Sequence, residues 1–223
     1  MPVNKEAYLS IIAELAQKNI TLVAVSKTKP AEEIMTLYQL GHRDFGENYV
    51  QELSEKAAAL PKDIRWHFIG HLQSNKVKYI APFVQLIHGV DSLKLLKEIN
   101  KEAAKQNRVI GCLLQVHIAS EETKFGLDEA ELHQVVAQAA ELKLNHVRLE
   151  GLMGMASFTQ NMEQVRTEFR TLKKLFDQYH GFSILSMGMS GDYPVAIAEG
   201  STMVRIGSLL FGERAKNQPA AGN

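Results

Sequence analysis

Lys27 ends the apolar run Leu22-Val23-Ala24-Val25-Ser26 and is followed at once by Thr28-Lys29-Pro30. In this pattern a core strand delivers an amine to the mouth of a fold. Such an amine is a candidate Schiff-base nucleophile: lost hydration, and a nearby cation such as Lys29 or an arginine, both penalise its charged form and lower its pKa toward reactivity with an aldehyde. On this segment alone the competing reading is a strand-end lysine that simply leaves for solvent. Ser186-Met187-Gly188-Met189-Ser190-Gly191-Asp192 and Gly207-Ser208 form two further groups of interest. Their small residues let backbone amides approach phosphate oxygens, and Ser190 and Ser208 add hydroxyl donors at helix N-termini. Arg205 lies two residues before Gly207, so strand alternation lets both address one ligand while Ile206 faces the other side. A buried arginine needs a partner, and Glu199 or Glu213 could supply a carboxylate in place of a ligand.

Short β-rich runs alternate with helix-patterned segments along the chain, which favours a parallel sheet or barrel. Strands are expected near Thr21 to Ser26, Asp44 to Gly46, Ile64 to Ile69, Leu86 to Val90, Val109 to Ile118, His146 to Met153, Ile184 to Ser186 and Met203 to Ile206. Between them lie expected helices at Ala31 to Leu40, Tyr49 to Leu60, Asn75 to Ile80, Ser92 to Gln106, Asp128 to Leu142, Met162 to Tyr179 and Pro194 to Ala198, with an additional N-terminal helix over Lys5 to Lys18. Pro30, Ser92 and Asp128 suit helix starts, and Gly41 and Gly181 suit positions just past helix ends. The spacing predicts an α/β fold, a single (β/α)8 TIM barrel. Chemistry then belongs at the C-terminal ends of the strands, with phosphate held after the seventh and eighth, where the two glycine-serine loops fall.

The chain has 223 residues, 45% of them hydrophobic, enough for one domain over residues 1–215, followed by a flexible polar tail over 216–223. Lysine plus arginine equal aspartate plus glutamate at 25 each, so no net field attracts nucleic acid or an anionic membrane. No membrane span or secretory signal is legible, which points to the cytoplasm. Cys112, the single cysteine, sits in an apolar stretch and is expected to be buried and reduced. His67 and His71 lack the acidic residue and unbroken helix of a zincin, so they read as loop or packing histidines and no metal is expected. Gly188 to Asp192 lacks the final glycine of a nucleophile elbow, and Gly151 to Ala156 lacks the third glycine of a dinucleotide fingerprint.

With these residues in hand, the chain resembles the pyridoxal phosphate homeostasis proteins, a family similar to the N-terminal barrel of alanine racemase. The resemblance runs through Ala24 to Pro30, Phe45-Gly46-Glu47-Asn48-Tyr49, Trp66 to Lys76, Lys124-Phe125-Gly126-Leu127, Gly151 to Ala156, Ser186 to Asp192 and Val204 to Ser208. It implies that Lys27 forms the internal aldimine with pyridoxal 5'-phosphate. Ser190, with backbone around Met189, would hold the phosphate from one loop, and Gly207 and Ser208 from the other. Arg205 would face the pyridine nitrogen, Asn48 would lie near the ring hydroxyl, and Ile69 and Met155 could sandwich the ring. An arginine at that nitrogen disfavours its protonation and so weakens the electron sink that carbanion chemistry needs. The implied function is a non-catalytic carrier or reservoir in vitamin B6 homeostasis, a cytoplasmic monomer with apo-enzymes as possible recipients. The alternative is a pyridoxal phosphate-dependent enzyme with weak amino-acid racemase activity, against which stands the absence of the additional β domain that supplies alanine racemase with a catalytic tyrosine. A sugar-phosphate barrel enzyme without cofactor is a third, fainter reading.

Overall fold

The computed structural model describes residues 3–121 and 125–213. Eight parallel strands close into a barrel in sequence order: β1 (Thr21–Val25), β2 (Asp44–Glu47), β3 (Arg65–Phe68), β4 (Leu86–Val90), β5 (Ile110–Gln115), β6 (Val147–Met153), β7 (Ile184–Ser186) and β8 (Met203–Ile206). The ring is sealed by β1 against β8, with Thr21 opposite Met203 and Ala24 opposite Ile206. Helices α2 (Ala31–Gln39), α3 (Val50–Ala59), α4 (Val77–Ile80, entered through the 3-10 turn Ser74–Lys76), α5 (Leu93–Lys105), α6 (Glu129–Glu141), α7 (Met162–Phe176) and α8 (Tyr193–Ala198) connect successive strands, and α9 (Ser208–Phe211) follows the last. The expected N-terminal helix is α1 (Lys5–Gln17), which lies against α9 and β1. Asn4 caps it and also donates its N–H to the Leu210 carbonyl at 2.8 Å, tying the start of the chain to its last helix.

The helices form where apolar residues recur on one face and a polar residue caps the start. In α7 Val165, Phe169, Leu172 and Leu175 are buried, and the Asn161 side chain accepts from the Gln164 amide. Ser92 caps α5, and Asp128 with Glu131 completes a capping box on α6. Gly41 takes φ +94° just past α2, as a helix-stopping glycine does. The expected stop at Gly181 is different: α7 ends at Phe176, where Gln178 and Tyr179 turn back to bond the carbonyls of Leu175 and Phe176. The fifth strand is also shorter than Val109 to Ile118, because beyond Gln115 the chain turns to the returning segment, His117 N–H bonding the Leu127 carbonyl at 3.0 Å.

Strand alternation divides the core in two. Leu22, Ala24, Ile87, Cys112, Leu114, Leu152, Leu185, Val204 and Ile206 pack outward against the helices, in the main cluster. Val23, Leu86, Leu113, Met153 and Met203 form a second, small cluster inside the barrel. Cys112 is a free, fully buried thiol whose pKa burial pushes up, as the sequence predicts. The predicted tail, residues 216–223, lies outside the described residues, as does Lys124 of the segment Lys124 to Leu127.

Candidate functional site

Lys27 leaves β1 in a turn in which the Lys29 amide donates to the Ser26 carbonyl at 3.0 Å. Thr28 sits in the left-handed region at φ +63°, an uncommon conformation for a β-branched residue that its surroundings must hold. The holding group is a buried charge cluster beneath the turn. Glu52 on α3 accepts the Thr28 N–H at 2.6 Å. Lys56, one turn further along the helix, donates to the Ser26 carbonyl, to Glu47 Oε1 and to Glu52 Oε1, each at 2.7 Å. Glu47 ends β2 completely buried and accepts the Ser26 hydroxyl at 2.6 Å. Burial pushes the Glu47 pKa up, and Lys56 and Ser26 pull it partly back. Lys29, the second cation of the segment, donates to the Phe211 carbonyl at 2.6 Å, so the turn is also tied to the end of α9.

The two glycine-serine loops meet over the same mouth. Gly207 donates its N–H to Ser190 Oγ at 3.2 Å, joining the loop after β7 to the one after β8. A Cβ on Gly207 would lie 3.3 Å from Val25, so this amide sits against the strand that ends at Lys27. Gly188 adopts φ +98° and its carbonyl accepts the Arg205 N–H at 2.9 Å. Met189 donates its N–H to Asp192 Oδ1 at 2.6 Å, so that amide is engaged within its own loop. Ser208 is exposed as the first residue of α9. Asn48 follows β2, and Gly70 lets the end of β3 approach it: a Cβ there would fall 2.3 Å from the Asn48 carbonyl oxygen. Ile69 and Met155 are half-buried, Ile69 beside Gly46 and Met155 against the cluster inside the barrel.

Arg205 is buried inside the barrel, where its guanidinium donates to the Ser186 carbonyl (2.9 Å), the Ser186 hydroxyl (2.6 Å) and the Gly154 carbonyl (3.1 Å). Neither carboxylate considered from the sequence is its partner: Glu199 pairs with Arg166 and Arg170 at 2.6 and 2.8 Å, and Glu213 is exposed. Burial pushes the Arg205 pKa down to about 10, with the Asp192 charge opposing the shift. It therefore stays cationic at neutral pH. His67, read from the sequence as a packing or loop histidine, is a buried strand residue hydrogen-bonded to His88 and Asp44. His71 stacks on Phe125 at 4.6 Å and lies 3.4 Å from Asp91. No cluster suited to a metal occurs among the described residues. Sequence reasoning missed Glu52, Lys56 and His88 as members of the site and took Ser186 only as the start of the loop after the seventh strand; the four-residue spacing of Glu52 and Lys56 on one helix face was the available signal for two of them.

These features define a class, a (β/α)8 barrel with a lysine after β1 and an arginine in β8. Residues 6–215 match the family model described as alanine racemase, N-terminal domain. Alanine racemase of Bartonella henselae superposes with a TM-score of 0.71 at 18% identity over 93% of this chain and 59% of that one, a likeness of fold. Relatives named pyridoxal phosphate homeostasis protein are 45% identical in Aquifex aeolicus, over 86% of each chain, and 39% identical in Escherichia coli K12, over 88% of this chain and 87% of that one. PipY of Synechococcus elongatus, solved with PLP bound, superposes with a TM-score of 0.85 at 35% identity, over 93% of this chain and 99% of that one. The chain belongs to the pyridoxal phosphate homeostasis protein family.

Proposed function

We propose that this protein binds pyridoxal 5'-phosphate covalently through Lys27 and serves vitamin B6 homeostasis as a non-catalytic carrier or reservoir, a cytoplasmic monomer that passes the cofactor to apo-enzymes. The observation that carries this reading is Arg205, a buried guanidinium fixed by Ser186 and Gly154 in the strand leading to the glycine-serine junction. The residues fit the group. Asn48 Oδ1 is buried and has no hydrogen-bond partner among the described residues, which suits an acceptor for the ring hydroxyl. Ser190, Gly207 and Ser208 take the phosphate, with Met189 shaping the loop rather than donating its amide, which Asp192 engages, and Ile69 and Met155 flank the ring. Bound pyridoxal phosphate supplies an aldehyde and an electron-withdrawing ring. Lys27 would supply the amine that holds the cofactor through its aldehyde. Arg205, cationic at neutral pH, holds a proton off the ring nitrogen and favours holding and exchange over carbanion chemistry.

The relatives' names and the PLP-bound PipY structure support this reading. So does the orderly fall of the candidate residues around one mouth. Its test is the near-ultraviolet and visible spectrum of the protein with pyridoxal phosphate, before and after borohydride, with peptide mapping of the reduced adduct. A band that bleaches and maps to Lys27 is expected. No band, or a band mapping elsewhere, removes the reading. Incubation of the loaded protein with single enantiomers of amino acids should give no Lys27-dependent conversion, and clear conversion would favour a racemase.

A further inference from the structure

A continuous hydrogen-bonded chain crosses the inside of the barrel from Arg205 to the opposite mouth. Arg205 Nη1 meets Ser186 Oγ at 2.6 Å, Ser186 Oγ meets His88 Nδ1 at 3.0 Å, His88 Nε2 meets His67 Nδ1 at 2.9 Å, and His67 Nε2 meets Asp44 Oδ1 at 3.0 Å. Arg65 holds Asp44 in turn, its Nε 2.7 Å from Oδ1. Ser186, His88 and His67 are buried on β7, β4 and β3. The Asp44 end lies at the N-terminal ends of β2 and β3, where Asp44, Arg65, His67, Gln85 and Glu150 line a cavity of about 250 Å³.

The two ends determine every proton between them. A guanidinium can only donate, and an ionised carboxylate can only accept. Asp44 is a carboxylate: burial pushes its pKa up, but hydrogen bonds from Arg65 and His67 outweigh this and hold it well below the usual range. His67 therefore donates Nε2–H to Asp44. At the other end Arg205 already donates to Ser186 Oγ, and His88 Nδ1 is that hydroxyl's other partner among the described residues, so the hydroxyl proton points to His88 Nδ1 and His88 donates Nε2–H to His67 Nδ1. His88 is fully buried, and burial above all drives its pKa well below the ordinary value. Its Nδ1 consequently accepts the Ser186 hydroxyl proton, which leaves the Ser186 oxygen lone pair aimed at Arg205. All four links run one way.

We infer that Ser186, His88, His67 and Asp44 are positioning residues that act as a one-way relay, holding the Arg205 guanidinium in place for the cofactor ring from the far mouth of the barrel. This rests on the reading of Arg205 as the ring-nitrogen partner. The relay lets the acceptor strength of Ser186 Oγ, and with it the orientation of Arg205, follow the carboxylate at Asp44 across four hydrogen bonds. Asp44 opens β2 at the barrel end opposite the one where Lys27 leaves β1, so a defect there should alter the ring environment and spare Lys27.

The test uses the full chain in two states. In the cofactor-free protein, long-range proton–nitrogen correlation spectra should show His67 and His88 as neutral Nε2–H tautomers; an Nδ1–H tautomer at His88 would overturn the relay whether or not pyridoxal phosphate binds. In the loaded protein, His88→Leu should release the cofactor roughly tenfold faster, the effect of losing one hydrogen bond to a charged network. It should also shift the absorption maximum while the reduced adduct still maps to Lys27. His88→Gln, whose side-chain oxygen accepts and whose amide donates in the same order, should restore both. Ser186→Ala, which cuts the chain beside Arg205 and alters little volume, should reproduce the His88→Leu spectrum. Wild-type release and spectra in both His88→Leu and Ser186→Ala would sink the positioning role. A wild-type protein with no adduct at Lys27 would instead sink the cofactor reading, and the tautomers would still decide the relay.

Discussion

Lys56 and Arg205 are both buried cations, and they are satisfied by opposite means. Lys56 has two carboxylates, Glu47 and Glu52, at 2.7 Å and a backbone carbonyl besides, so its charge is spent locally. The hydrogen bonds of Arg205 run to two carbonyls and a hydroxyl, and Asp192 acts on it through its field. The first arrangement is a strut: it closes a buried network under the Lys27 turn and leaves nothing over for a ligand. The second leaves a fixed positive charge inside a low-dielectric barrel, available to whatever approaches the C-terminal mouth. A charge neutralised in place serves the fold, and one held by dipoles serves a ligand.

Removing each cation should separate the two roles. Lys56→Met strands the buried Glu47 carboxylate and should cost about 3–5 kcal/mol of stability, the usual penalty for breaking one side of a buried ion pair. Urea denaturation of the cofactor-free protein measures it, and adding Glu47→Gln to the same chain should recover much of the loss. Arg205→Met removes hydrogen bonds to neutral acceptors together with a desolvated charge. Its stability cost should stay under about 2 kcal/mol. The cofactor response separates them further: saturating pyridoxal phosphate at a hundredfold excess over Kd should stabilise wild type by about 2.7 kcal/mol, and Arg205→Met much less at the same concentration. Equal unfolding of the two single variants would erase the distinction.

The same contrast explains what was legible in the sequence. The mouth of the barrel announced itself through local signals: a lysine at the end of an apolar strand, glycine and serine after the seventh and eighth strands, and an arginine two residues before Gly207. Strand count and helix caps were equally local, as Ser92 and Asp128 show. The interior chain had no such signal. His67 reads as a loop or packing histidine, His88 carries no motif within its apolar strand, and Ser186 lies 98 residues from His88 in sequence. Only closure of the barrel brings them together. The helix expected over Asn75 to Ile80 was half right for a related reason, since Ser74–Lys76 tightens into a 3-10 turn before α4.

The polar interior that carries Arg205 should also set the response to acid. Burial above all lowers the His88 pKa; burial likewise lowers that of His42, partly opposed by Asp44. Both are depressed in the folded state, so the unfolded chain takes up protons first and stability falls as pH drops below about 6.5. Asp44, depressed through Arg65 and His67 despite its burial, adds stability above about pH 4 that is lost as the pH falls toward its folded value. Unfolding free energies measured from pH 8 to 4 should therefore slope downward, and His88→Gln should flatten the limb between about 6.5 and 4. Parallel curves for the two proteins would mean that the interior histidines do not govern the acid limb.

The smallest effect should come from the strut's outer edge. Glu52 is the acceptor for the Thr28 N–H and one of the carboxylates on Lys56, yet it is partly exposed, and Lys56 keeps Glu47 when Glu52 is lost. Glu52→Leu should therefore cost only about 1–2 kcal/mol, the price of one unsatisfied amide. Its larger consequence should be kinetic. Without that acceptor the left-handed Thr28 is free to relax, and the backbone beside Lys27 no longer presents the amine in one orientation. Mixing cofactor-free protein with pyridoxal phosphate and following growth of the absorption band should show attachment slowed by several-fold, with the final extent of binding little changed. A variant that loses stability but attaches at the wild-type rate would confine the Glu47–Lys56–Glu52 cluster to folding, and the lysine turn would need another source of its order.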